Sequence, residues 1–223
     1  MSFGMERGFE ARAAMVLDVR RAGVRDLSVM RAIEQVPRET FAQHRFRDLA
    51  NRNMNLPIGC GQTMPSPADL GRRLDALGVK PQHRALEVGV GSGYGAAVLS
   101  RLAREVVSLE RYETLAIEAA RRLSAHGFDN VMVLFADGLA PSRALGRFDR
   151  IILHVAVEEP PQPLLDALAN DGVMVFSRLS PAVNGRRRAR LMKVTRGADG
   201  ALREMDLGPS RQAAAFPGTA RVL

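Results

Sequence analysis

Glycines stand at alternate positions in the run Leu86-Glu87-Val88-Gly89-Val90-Gly91-Ser92-Gly93-Tyr94, and an acid lies two residues before the first of them. The chemistry such a run allows is binding. An apolar strand that turns into a helix through small residues lets a ligand lie against bare backbone. The helix start then offers unpaired N–H groups to a polar ligand. The spacing of Gly89, Gly91 and Gly93 is G-x-G-x-G, which differs from the G-x-G-x-x-G that cradles a pyrophosphate. Alone, the run could also be a tight strand-to-helix connection and nothing more.

Other segments carry polar groups that could meet this loop. Glu110 ends the run Val106-Val107-Ser108-Leu109-Glu110, 17 residues beyond Gly93, close to the roughly 20 expected for an acid that accepts from a ribose hydroxyl. Its two oxygens can receive two O–H donors; the alternative is a surface acid paired with Arg111. Asp137 precedes Gly138 after another apolar run. Asp137 could accept from an exocyclic amine while Gly138 admits a flat ring, or the pair could form an Asx turn. His154 follows Ile151-Ile152-Leu153 and could face a reacting group or be a buried, satisfied histidine; no proton-transfer role is assigned to it. Glu87, beneath the loop, could reach a ligand ammonium or only hold backbone amides.

The elements that must position these residues can be read from periodicity. Apolar spacing predicts helices over 10–21 and 24–36, the second ended by Pro37. A loop-rich stretch spans 38–66. Pro67-Ala68-Asp69-Leu70 opens a helix, with Ser66 as N-cap and Gly78 as its stop. From Arg84 the pattern alternates: strands over 84–88, 105–110, 131–135, 150–155, 173–178 and 190–196, with helices over 94–103, 113–126 and 163–169. Apolar strands alternating with amphipathic helices predict an α/β fold: a Rossmann-like, doubly wound, mostly parallel sheet with an N-terminal helical extension. The expected division is 1–80, N-terminal helices and active-site loop, and 81–223, the ligand-binding core, as one compact unit. Strand carboxyl ends would share one rim, where ligands bind.

Composition sets limits. The chain has 223 residues and is 46% hydrophobic, enough for a full core. No apolar run approaches the roughly 18 residues of a membrane helix. Met1 to Arg7 lacks the apolar centre of a signal peptide, and a single cysteine, Cys60, suits a reducing cytoplasm. Four scattered histidines give no metal spacing, so no metal is expected. The net charge of +8 is partly local: Arg186, Arg187, Arg188, Arg190, Lys193 and Arg196 occur without an acid among them. Such a run could attract nucleic acid or form a solvated turn and edge strand. With 5% aromatics there is no base-stacking platform, and nucleic acid is not the expected partner.

Several segments narrow the reading further. The acid and tight glycine spacing resemble the cofactor loop of class I S-adenosylmethionine-dependent methyltransferases. Val36-Pro37-Arg38-Glu39-Thr40-Phe41 resembles the V-P-R-x-x-F segment of protein-L-isoaspartate O-methyltransferases, and Leu56 to Thr63 resembles that family's L-P-I-G-x-G-Q-T loop. Leu86 to Leu99, Ser108-Leu109-Glu110-Arg111, Asp137-Gly138 and Phe148 to Ile152 are similar to its further motifs, in consistent order. The resemblance implies a methyltransferase that uses S-adenosylmethionine to methylate the free α-carboxylate of an isoaspartyl residue in a protein or peptide. It implies Gly89, Gly91, Gly93, Glu110, Asp137 and Gly138 around the cofactor, and Gln62 and Thr63 in the loop covering the transferred methyl. Gln62 and Glu87 are added to the expected cofactor set, Thr63 and Ser66 are the candidate catalytic hydroxyls, and a monomer is favoured.

The departures fall on the acceptor side. The family's loop continues Q-T-I-S-x-P, whereas this chain has Gln62-Thr63-Met64-Pro65-Ser66-Pro67. Proline removes both a hydroxyl and a backbone donor. Ser66 could substitute for the lost serine or could simply cap the following helix. Leu153-His154-Val155-Ala156 replaces I-V-T-A-A, and Phe176-Ser177-Arg178-Leu179-Ser180 replaces P-V-G and its following Gln. Three readings follow: an active carboxyl methyltransferase, a cofactor-binding regulatory protein without catalysis, and a methyltransferase for another acceptor, with RNA ranked last.

Overall fold

The computed structural model describes residues 2–181 and 187–221, with side chains from residue 10 onward. Three helices come first: α1 (Ser2–Arg21), α2 (Leu27–Gln35) and α3 (Pro67–Leu77). The Asp26 side chain caps α2 by accepting from Ser28 N, and α2 buries Val29, Met30, Ala32 and Ile33. Ser66 caps α3, Pro67 occupies its first turn, and Gly78 closes it in the left-handed conformation. Between α2 and α3 lie two short 3₁₀ turns and a small antiparallel pair, β1 (Leu56–Pro57) and β2 (Thr63–Met64).

The chain then builds β3 (Arg84–Val88), α4 (Tyr94–Ser100), β4 (Glu105–Glu110), α5 (Glu113–Ala125), β5 (Val131–Phe135), β6 (Phe148–Val157), α6 (Gln162–Ala167), β7 (Leu168–Leu179), β8 (Ala189–Arg196) and β9 (Leu202–Ser210). The sheet order is β5-β4-β3-β6-β7-β8-β9. The first five strands are parallel, and β8 and β9 add antiparallel. The chain winds outward from β3 and returns to β6, so the switch point lies between those two strands, where open α/β sheets bind ligands. Burial on both faces explains the continuous apolar strands: Leu86, Val107 and Leu153 face one core and Ala85, Val106 and Ile152 the other. Met15, Val19, Ile33, Leu70 and Leu74 of the first three helices join the latter cluster together with Val98 and Leu99.

The mostly parallel sheet and the N-terminal helices agree with the expectation; the main departures lie toward the carboxyl end of the chain. Helix α6 stops at Ala167, where residues expected to be helical begin β7. Strand β9 had no expectation, because its residues from Leu202 to Asp206 are exposed and give no inside–outside alternation. The tail after Ser210 likewise carries no periodic signal. It crosses the carboxyl rim as a strap, bridging Ala156 to Ala214 and Tyr112 to Ala220. The basic run forms an edge hairpin in which Arg187 pairs with Glu158 and Arg190 with Asp206; Arg186 lies outside the described residues.

Candidate functional site

A cavity of about 150 Å³ opens at the carboxyl ends of β3, β4, β5 and β6. Its floor is the glycine loop. Gly91 has φ +52, and a Cβ there would stand 3.1 Å from Ile58 Cδ1, so both the turn and the loop packed over it require a bare backbone. At Gly138 a Cβ would lie 2.4 Å from Val88 Cγ1, so any side chain there would force Val88 to shift. Gly89 and Gly93 also take positive φ. Gly89 and Gly91 line the cavity and Gly93 caps α4 beside it.

The acids gather where the sheet places them. Glu110 is 4% exposed. Its carboxylate accepts from Gly91 N at 2.9 Å and Tyr112 N at 3.1 Å, which fixes the glycine loop to the end of β4. Burial pushes its carboxyl above the usual range, opposed by those backbone donors. The neighbouring Arg111 turns away and donates to Gly218 O at 3.1 Å. Glu87 is fully buried; it accepts from the Ser108 hydroxyl at 2.6 Å and lies 2.9 Å from His154 Nε2. His154 thus touches the cavity as part of a buried acid–imidazole pair, with Nδ1 buried and unpartnered. Asp137 accepts from Leu139 N at 2.9 Å, forming an Asx turn, and from Gly218 N of the strap at 2.7 Å. Each of its oxygens keeps a lone pair for another donor.

The opposite wall comes from the β1–β2 hairpin and the strap. Ile58, Gln62, Thr63, Met64 and Pro65 face Gln212 through Phe216. Gln62 Nε2 donates to Cys60 O at 3.0 Å, stiffening the loop. Thr63 lies on the lining. Ser66 does not line the cavity among the described residues: its hydroxyl accepts from Asp69 N at 3.2 Å and its amide donates to Asn55 Oδ1 at 2.8 Å. The hydroxyl displaced by one residue is therefore engaged as a helix cap.

Sequence reasoning missed two organising groups. Arg38 is fully buried and donates to the carbonyls of Ala50, Met54 and Pro65, with Tyr94 5.6 Å away under its guanidinium. It gathers the whole loop after α2 and ties it to the start of α4. Burial lowers it to about 10, so it keeps its charge at neutral pH. Its signal, the V-P-R segment, was visible, but its partners lie up to 27 residues away. The strap was the other; Arg211-Gln212-Ala213-Ala214-Ala215 has no pattern to betray it.

A glycine-floored cradle at a switch point, with an acid ending β4 and an Asp-Gly turn after β5, fits the fold class of the Rossmann-like methyltransferases. Among the described residues no His/Cys/Asp/Glu group could hold a metal, and no helix is long and apolar enough to cross a membrane. The sequence profile described as Protein-L-isoaspartate(D-aspartate) O-methyltransferase matches residues 10–211. The chain belongs to that family. It is 45% identical over 207 residues to Protein-L-isoaspartate O-methyltransferase 2 of Rhodopseudomonas palustris strain HaA2, covering 93% of each chain. It is 39% identical to the Protein-L-isoaspartate O-methyltransferase of Parvibaculum lavamentivorans, over 97% of this chain and 96% of that one. A solved protein-L-isoaspartate O-methyltransferase superposes with a TM-score of 0.80 at 25% identity, across 92% of this chain and 66% of that one. A Plasmodium falciparum structure in complex with S-adenosyl-L-homocysteine shares the fold at a TM-score of 0.75 and 21% identity, over 90% of this chain and 96% of that one.

Proposed function

We propose that this chain is an S-adenosylmethionine-dependent enzyme that methylates the free α-carboxylate of an isoaspartyl residue in a protein or peptide. The observation that carries this reading is the cradle itself: bare backbone at Gly89 and Gly91, with Glu110 fixed behind it and the Gln62–Thr63 loop facing it across one cavity. The residues fit the cofactor. Glu110 keeps lone pairs for ribose hydroxyls, Asp137 and Gly138 admit an adenine edge and face, and the Glu87 side chain lies beneath the amino-acid part. When bound, the cofactor supplies a methyl group on positively charged sulfur.

The chain's own task is placement. A carboxylate acceptor is ionised at neutral pH, so no base is required and the Glu87–His154 pair has no proton to remove. Thr63, on the lining, is the hydroxyl positioned to orient the acceptor oxygen, because Pro65 has neither hydroxyl nor N–H and Ser66 is engaged elsewhere. The hairpin and strap exclude water from the acceptor. Alignment of this kind lowers barriers by roughly 7–11 kcal/mol in well-oriented systems. In this reading residues 1–80 and 81–223 act as one unit, the first supplying the covering loop and the second the cradle.

Two measurements test it. Titration calorimetry should show binding of S-adenosylmethionine and its demethylated product. Release of that product should depend on an isoaspartyl peptide and be absent with the aspartyl isomer. Pro65 and the capping role of Ser66 favour one second reading, a binder without catalysis. Heat on titration with no turnover and no labelled protein in a cell extract would establish that reading instead.

A further inference from the structure

Gln212 is the strap's one polar side chain on the cavity wall; its companions there are Ala213, Ala214, Ala215 and Phe216. Its place is held from behind. Gln212 Nε2 donates to Asp69 Oδ2 at 2.9 Å, and the same oxygen accepts from Arg73 Nε at 3.0 Å. Arg73 is fully buried. Its remaining donors reach Leu153 O at 3.0 Å, Ser177 Oγ at 3.1 Å and Ser210 Oγ at 3.0 Å. One guanidinium therefore joins helix α3, the end of β6 just before His154, strand β7 and the root of the strap. A desolvated guanidinium is tolerated only where its donors are matched this closely.

With one N–H given to Asp69, the second N–H and Oε1 of Gln212 have no partner among the described residues. A primary amide so placed offers one donor and one acceptor, the complement of a main-chain amide in an extended peptide. Gln62, Thr63 and His154 also line the cavity, and Gln62 and His154 already have partners in Cys60 O and Glu87. We propose that Gln212 recognises the peptide backbone beside the methylated residue, and that Arg73 is a positioning residue acting on it through Asp69. This rests on the isoaspartyl reading above and deepens it: the substrate is recognised partly as extended main chain.

The test is steady-state kinetics on the full chain with an isoaspartyl peptide, run beside calorimetry with S-adenosylhomocysteine. Gln212→Ala should raise the peptide KM about tenfold, the scale of one or two neutral hydrogen bonds, with kcat and cofactor affinity unchanged. Arg73→Met, which replaces the buried charge by an apolar side chain of similar reach, should raise the same KM. The double variant should add little beyond Gln212→Ala, since both act on one contact. A purely structural Arg73 would give additive losses and move cofactor affinity as well. Wild-type turnover with an unmoved KM in Gln212→Ala overturns this proposal alone. Equal shifts in KM and cofactor affinity overturn it too, since the strap would then only complete the fold. Absence of wild-type turnover overturns the activity reading and takes this inference with it.

Discussion

The two walls of the cavity are built by different means. The wall proposed to hold the cofactor is made from backbone: Gly89, Gly91 and Gly138 carry no side chain, and Glu110 ties the loop to the end of β4 through two backbone donors. Its parts lie in neighbouring parallel strands, and the register Leu86↔Val107 and Val107↔Met132 sets their distances. The acceptor wall is made from side chains on segments remote in sequence: the hairpin held by Arg38, His154 at the end of β6, and Gln212 on a strap held by Asp69. Family resemblance is strong on the first wall and broken at Pro65 and His154 on the second, and at Ser177 behind it, where the hydroxyl meets Arg73. A wall of backbone tolerates few changes, because Gly89 and Gly91 take positive φ and a Cβ at Gly138 would collide with Val88. A wall of side chains can be rewritten while the fold persists.

The largest expected effect breaks the cofactor wall. Glu110→Ala removes the carboxylate that would accept from two hydroxyls. At about 1.5–3 kcal/mol per charged hydrogen bond, losing two should lower cofactor affinity by roughly 10² to 10⁴, read by calorimetry. A change below threefold would remove Glu110 from the site and the contrast with it. Next comes the acceptor wall: Thr63→Ala should lower kcat about tenfold while leaving cofactor affinity intact, on the scale of one lost hydrogen bond to a charged group.

Smaller effects sharpen the division. Gly138→Ala forces a methyl against Val88, and overpacking of this kind destabilises by about 1–3 kcal/mol. Tm should drop by several degrees and cofactor affinity with it. Ser66→Ala removes a helix cap, about 1 kcal/mol, so Tm should fall by about 2–4 °C with kcat unchanged. If kcat collapses in Ser66→Ala and survives in Thr63→Ala, the acceptor hydroxyl is Ser66 and the capping assignment is incomplete.

The smallest effect is a pH dependence. Burial holds the folded Glu110 carboxyl above its usual value. Its neutral form thus favours the folded state; that contribution is complete below the ordinary carboxyl value and is lost as pH rises through the raised one. Cofactor binding needs the ionised form and should strengthen over the same window. Comparing wild type with Glu110→Gln should show the stability difference and the affinity difference moving in opposite directions with pH. Differences that stay flat with pH would mean that Glu110 does not titrate in the site.

Much of the cofactor wall was legible because its information is local. A strand, a glycine turn and a helix occupy one stretch, and Glu110 and Asp137 each end an apolar run of ordinary strand length. Helix α3 was equally plain, from Ser66 through Pro67 to Gly78. Ser66 had two readings, hydroxyl donor and cap, and only the 3.2 Å contact with Asp69 N separates them. Asp137 likewise turned out to form the Asx turn that had stood as its alternative. Strand β9 and the strap were illegible, since exposed residues and an Ala-Ala-Ala run carry neither period.

By itself the sequence determined the sheet, the cradle and the family, since alternating apolar runs, glycine spacing and loop motifs are short-range properties of the chain. Tertiary structure alone decided what faces the cradle: that the final residues return to cover it, that Arg38 and Arg73 are buried hubs, and that His154 lies against Glu87. The longest of those contacts joins residues 143 positions apart, and no local pattern encodes a partner at that distance. They arise only when the packed strands and helices bring their ends to one rim and leave buried polar groups to find one another.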